Sequence, residues 1–197
     1  VSYNSNTNKA LVSGVRKALM SLIDVSDNRV VGVVGSPDEV GTGPNTGHPF
    51  WVDDDEFLRT DRARQLVHLY KITMHSGGKK GGKKDGHVEI VLQDTISTPG
   101  PVHHFAKIPG ATSIKDTRTF YGAADGLGAD GINPSVIGIR VPAFKSKIKF
   151  TGRVELTGDA SIMGAHHFGM HPDGEHIYMG SKEGNTFIIN RKSARKL

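Results

Sequence analysis

Residues 47–58 recur, without a gap, 119 positions further along the chain. The shift pairs His48 with His167, Asp54 with Asp173, Glu56 with Glu175 and Leu58 with Ile177. It also pairs Val67-His68-Leu69-Tyr70 with Thr186-Phe187-Ile188-Ile189. A third copy lies between them, because Val102-His103-His104-Phe105 matches Ala165-His166-His167-Phe168. The anchors His48, His104 and His167 are therefore 56 and 63 residues apart. Repetition at such a period means that one small unit is built several times and stacked.

The content of the unit is legible from its texture. Val30–Val34, Val88–Leu92, Val136–Val141, Lys147–Phe150 and Thr186–Ile189 are short runs rich in β-branched residues. Turn residues such as Ser26-Asp27-Asn28 and Gly35-Ser36-Pro37 separate them. Gly is abundant, 25 of 197 residues, close to twice its usual share of about 7%. Only Asn8 to Leu22 could read as helix, and Gly14 with its β-rich flanks argues against it. The class is all-β. A period of about 40–60 residues holding four short strands is a β-propeller blade. A single four-stranded sheet cannot bury both of its faces, whereas sheets stacked round an axis bury them against one another.

The last copy carries the sharpest resemblance. The stretch from His171-Pro172-Asp173-Gly174 through Tyr178-Met179-Gly180-Ser181 to Ile188-Ile189-Asn190 resembles a blade of the YVTN-type β-propellers. Leu22-Ile23-Asp24 followed by Asn28-Arg29-Val30-Val31 is similar to the same pattern. The blades are placed at about 1–46, 47–97, 101–158 and 162–197, one propeller domain or part of one. Blade one is expected to enter at its second strand, Lys9 to Ser13, and blade four to stop after its third. That makes about three and a half blades of a nominal four. An open arc exposes sheet faces, so the arc is expected to be completed by other protein: other subunits, further copies, or the rest of a longer polypeptide. The chain opens on Val1 with no charged-then-apolar leader, and so reads as processed or as part of something longer.

Composition narrows the chemistry. No Cys is present, which excludes a disulfide framework, a thiolate metal site and a Cys nucleophile. No window approaches the ~20 apolar residues of a membrane span. The net charge is +5. Much of it sits in Lys79-Lys80-Gly81-Gly82-Lys83-Lys84 and the tail Arg191 to Lys196, without interleaved aromatics, so nucleic acid is not the expected partner.

Six of the ten His fall at or beside the presumed first strand of a blade: His48, His103, His104, His166, His167 and His171. First strands line the propeller axis, so repeat-equivalent residues converge there from different blades. Imidazoles without thiolates suit copper, zinc, iron or nickel. Neighbouring strand residues face opposite ways, so one His of each His-His pair could reach the axis while the other supports it. His68, His75, His87 and His176 read as surface or packing residues. Asp53-Asp54-Asp55 reads as an inter-strand turn rather than a cation loop, because its repeat partner is Pro172-Asp173-Gly174. No Gly-x-Ser-x-Gly elbow is present.

Among propellers similar to this one, nitrous oxide reductase holds a copper cluster on axial His, and cytochrome cd1 nitrite reductase holds a haem in the same place. The resemblance implies a segment or subunit of an extracytoplasmic redox enzyme, periplasmic or secreted. Its His would bind copper or contact a haem, and it would act on a small inorganic substrate. The alternative is a non-catalytic propeller scaffold in a multiprotein complex. A propeller hydrolase or lyase ranks last, since no acid/base pair is visible.

Overall fold

The computed structural model describes residues 1–14, 19–35, 48–75, 87–126, 133–156, 165–181 and 184–193. The Lys/Gly run at 79–84, the Gly-rich stretch at 127–131 and the end of the basic tail lie outside the described residues. Fifteen strands and one four-residue helix are described.

The chain is all-β, four small antiparallel sheets arranged as propeller blades. The first sheet runs β1 (Ser2–Asn4), β2 (Lys9–Ser13), β3 (Met20–Asp24), β4 (Arg29–Val34). The second runs β5 (Phe50–Trp51), β6 (Glu56–Asp61), β7 (Leu66–His75), β8 (His87–Ser97). The third is β9 (Val102–Lys107), β10 (Thr119–Ala124), β11 (Ser135–Arg140), β12 (Lys149–Glu155), with helix α1 (Ile114–Thr117) between its first two strands. The fourth is β13 (Ala165–Met170), β14 (His176–Ser181), β15 (Thr186–Asn190). Within every sheet, chain neighbours are spatial neighbours, so each sheet is a meander.

One expectation is corrected. Blade one does not enter at Lys9–Ser13. Ser2–Asn4 forms its first strand, with Tyr3 opposite Ala10, and the Trp51 indole N–H donates to the Ser2 carbonyl across to the second sheet, at 3.1 Å. Three residues are too few to show a period-2 pattern, which is why the strand is invisible in the sequence.

The hairpins close by short polar loops. Asn8, Asn28 and Gln65 each end a four-residue turn with φ near +50° (52°, 50° and 56°). A left-handed residue at that point lets the loop return to the ladder. The residues ending the strands cap the turns. Asp24 Oδ1 accepts from the Ser26 N–H, Asp61 Oδ1 from Arg64 and Asn190 Oδ1 from Lys192. Asp53 Oδ1 accepts from the N–H groups of Asp55 and Glu56, as Asp173 Oδ1 does from those of Glu175 and His176. Structurally equivalent residues are thus 173 − 53 = 120 apart, one more than the gapless sequence pairing.

Packing follows from alternation. In β6, Phe57 faces the first sheet, among Leu11, Met20 and Leu22, while Leu58 faces the third, among Phe120, Ile137 and Ile139. In β10, Phe120 faces the second sheet and Tyr121 the fourth, among Ile177, Met179 and Ile189. Every residue of β6 and β10 is buried. Among the described residues, the first and fourth sheets each contribute one face to the buried clusters. Cross-strand partners Tyr178 and Ile188 stand on the free face of the fourth sheet, Ile188 64% exposed. Tyr3, Ala10, Ile23 and Val30 form the corresponding row on the first. The three buried clusters join sheets one to two, two to three and three to four.

Candidate functional site

Two groups of potential metal ligands come together among the described residues. The first is His48, His103 and His104, with one ligand nitrogen from each within 4.8 Å of the others. His48 stands two residues before β5, and its N–H donates to the His103 carbonyl at 2.8 Å, tying the second sheet to β9. His103 and His104 are the second and third residues of β9. Their ring centroids lie 4.7 and 5.6 Å from that of His48, edge to face.

Hydrogen bonding fixes how His104 presents itself. Its Nε2 lies 3.2 Å from the Phe168 carbonyl oxygen of β13. A carbonyl only accepts, so Nε2 carries the proton and Nδ1 keeps its lone pair. That lone pair accepts a hydrogen bond from Nδ1–H of His103 at 3.0 Å. Two nitrogens bound tetrahedrally to one ion at 2.0–2.1 Å lie about 3.3 Å apart, so an ion held by both would replace this hydrogen bond and displace its proton. A backbone carbonyl holding the far nitrogen is the usual support for a His ligand.

The other three His are placed differently. His166 and His167 lie in β13, beside β9, and their side chains lie outside the described residues. His171 follows the far end of β13. Its Nδ1 pairs with Asp173 Oδ2 at 3.0 Å, and Asp173 also takes the His176 Nδ1 at 2.7 Å. The hydrogen bond from His176, with the backbone N–H of Glu175, holds the Asp173 carboxyl well below the ordinary carboxylate range. His171 is not brought to the His48–His103–His104 group. His68 and His87 lie on the third and fourth strands of their sheet, His68 bonded to Thr95 Oγ1 at 2.8 Å and His87 stacked on His75.

The second group is Asp53, Asp55 and Glu56, at the turn between β5 and β6. Cationic side chains already occupy it. Arg118 donates through Nη1 to Asp53 Oδ2 and through Nη2 to Glu56 Oε2, and its Nε donates to the Val141 carbonyl at 2.8 Å. Lys71 Nζ sits 3.5 Å from Asp55 Oδ2. Burial would raise Asp53, but the Asp55 side chain, the Arg118 charge and two backbone N–H groups outweigh it and hold it low. Asp55 is pushed up, by burial and by the adjoining Asp53 carboxylate. The turn is thus an ion-paired seam between sheets two and three.

The same seam borders a cavity of about 780 Å³ that sequence reading did not find. Val52, Lys107, Ile108, Arg118 and Phe144 help to line it. Lys107 is the last residue of β9, at the opposite end of that strand from His103. Its Nζ donates to the Val52 carbonyl at 2.8 Å and lies over the rings of Phe50 and Phe120. Burial pushes its pKa down from 10.5. The available signal was the position of Lys107 directly after Phe105-Ala106 at the end of a first strand.

No family's sequence profile matches this chain, and no curated protein matches it in sequence. Solved structures do match in shape, among them β-propeller-like proteins. Sqt1 of Saccharomyces cerevisiae is 13% identical with a TM-score of 0.62, over 98% of this chain and 44% of its own. A protein of Lactobacillus plantarum is 11% identical with a TM-score of 0.63, over 95% and 55%. A Bacteroides fragilis protein, provisionally assigned as a 6-phosphogluconolactonase, is 16% identical with a TM-score of 0.54, over 96% and 49%. Such identities speak for the fold alone. The chain spans about half the length of these proteins.

Proposed function

We propose that this chain is the metal-carrying segment of a larger β-propeller, with His48, His103 and His104 as the ligands. The observation that carries the reading is the convergence of three imidazoles from two sheets, with ligand nitrogens within 4.8 Å. Three His ligands leave a fourth position for a small molecule, the arrangement catalytic metal sites keep. An all-imidazole set suits copper, zinc, iron or nickel, and copper heads the divalent affinity order. In this reading the site belongs to an extracytoplasmic redox enzyme acting on a small inorganic substrate. The free faces of the first and fourth sheets receive the blades that complete the ring. His104 holds its proton on Nε2 against Phe168, and Nδ1 of His104 with one ring nitrogen each of His103 and His48 would hold the metal.

A second reading has its own support. The His104 to Phe168 hydrogen bond also ties the third sheet to the fourth. A propeller scaffold without metal would keep His104 for that bond and for its contact with His103.

Elemental analysis of the purified protein, beside His104→Gln, separates the readings. The Gln amide can still donate to the Phe168 carbonyl but offers no imidazole. The metal reading expects a stoichiometric transition metal that His104→Gln loses and His171→Ala retains. No copper, iron, zinc or nickel above trace in the native assembly leaves the scaffold.

A further inference from the structure

The cavity between sheets two and three is a place apart from the His group. Its wall holds six charged side chains, and their pairing is uneven. Asp53 and Glu56 are committed to Arg118, and Asp55 to Lys71. Lys107 is the cation left over. Among the described residues no carboxylate lies within ion-pairing distance of its Nζ, and one of its three N–H groups is spent on Val52. Its Nζ lies over the rings of Phe50 and Phe120, 5.9 and 5.7 Å from their centroids. An ammonium held so costs free energy that an anionic partner would offset.

A second, independent observation lies across the cavity. Phe144 is 99% exposed and has φ = +63°, with Ser146 at +42° two residues on. A bulky side chain in the left-handed region is strained, and such strain gathers at ligand clamps. Here it holds an aromatic ring in solvent beside an opening of ordinary ligand size. Val52, Ile108, Ala111 and Ile114 supply apolar wall to the same cavity.

We infer that this cavity binds a small organic monocarboxylate, its carboxylate on Lys107 and its apolar body beneath Phe144. A single negative charge is specified because Asp53 and Glu56 stand in the same wall and would repel a dianion. Burial lowers the pKa of Lys107 while the Asp53 and Asp54 charges act against that, and a bound anion would act in the same direction as those carboxylates.

The test is a titration of the protein with phenylacetate and, separately, with the neutral phenylacetamide, followed by NMR shifts of the Ile108 and Ala111 methyls. Phenylacetate is expected to give saturable shifts, with phenylacetamide and the Lys107→Met variant each weaker by roughly tenfold, the worth of a hydrogen bond to a charged group. Phe144→Gly is expected to weaken phenylacetate while raising the urea midpoint, because it removes both the ring and the strain. Metal removal by a chelator should change none of this, which separates the inference from the metal reading. Equal titrations by acid and amide, or no saturable shift with phenylacetate, overturn it. Both comparisons use the unaltered protein, so they decide even where Lys107→Met fails to fold.

Discussion

Arg118, at the entry to β10, donates from Nη2 to Glu56 Oε2 at the start of β6, joining two sheets through a pair that is almost wholly buried. Removing one partner strands the other in the seam. Arg118→Met is expected to cost about 3–5 kcal/mol, and Glu56→Leu added to it should restore much of the loss, since two apolar side chains replace a buried ion pair. Urea denaturation of the two single variants and the double variant gives the coupling. Additive losses would show that the pair does not act as a unit.

Gln65 closes the β6–β7 hairpin at φ = +56°, the part that Asn8 and Asn28 play in the first sheet. Its contribution to the ladder comes from its carbonyl, which accepts from Thr98 N–H at 2.8 Å. Gln65→Gly should therefore stabilise the protein, by about 0.5–1 kcal/mol, by relieving a left-handed residue with a Cβ. A lower urea midpoint would contradict this.

Two glycines on inner strands should respond oppositely to alanine. A Cβ on Gly122 would meet Phe105 Cε1 at 2.7 Å and Val102 Cγ1 at 3.2 Å, whereas one on Gly169 meets nothing within 4 Å. Gly122→Ala is expected to cost about 1–3 kcal/mol. Gly169→Ala should be neutral or stabilising by about 0.5 kcal/mol, since it only removes freedom from the unfolded chain. Denaturation midpoints of the two proteins check the contrast.

Tyr178 and Ile188 pair across β14 and β15 on the free face of the fourth sheet. The isolated chain should associate through this face as its concentration rises. Ile188→Lys should shift the weight-average mass in sedimentation toward the monomer without changing the unfolding midpoint, because Ile188 is exposed. Identical sedimentation of both proteins at every concentration would refute it.

Lys107 predicts a pH dependence. Its folded pKa lies below 10.5, so between that lowered value and 10.5 the unfolded chain binds more protons than the folded one. Stability contributed by this residue therefore rises with pH through that window, and the penalty for burying the charge is complete below it. Lys107→Met should flatten the alkaline rise in the urea midpoint.

The fold class and the strand rhythm stand in the sequence, because both are local. Alternation such as Phe57-Leu58 or Tyr178-Met179 and turn residues such as Asp24 and Asn190 act over a few positions, and the repeat copies them. Ser2–Asn4 escaped because a three-residue strand is defined by its partner, not by its own pattern. Both the six His expected near first strands and the Asp53–Asp55 turn could be named in advance. Only stacking decided which of them meet. His104 reaches His48 because β9 lies beside the entry to β5, and His171 is turned away because it follows the far end of β13. The Lys107 cavity was beyond reach for the same reason. Its wall is drawn from a turn, a strand end, a helix and a loop between residues 52 and 146, and nothing joins them along the chain. They share a space only once sheet packs on sheet, and the charge left unpaired there is a property of that packing.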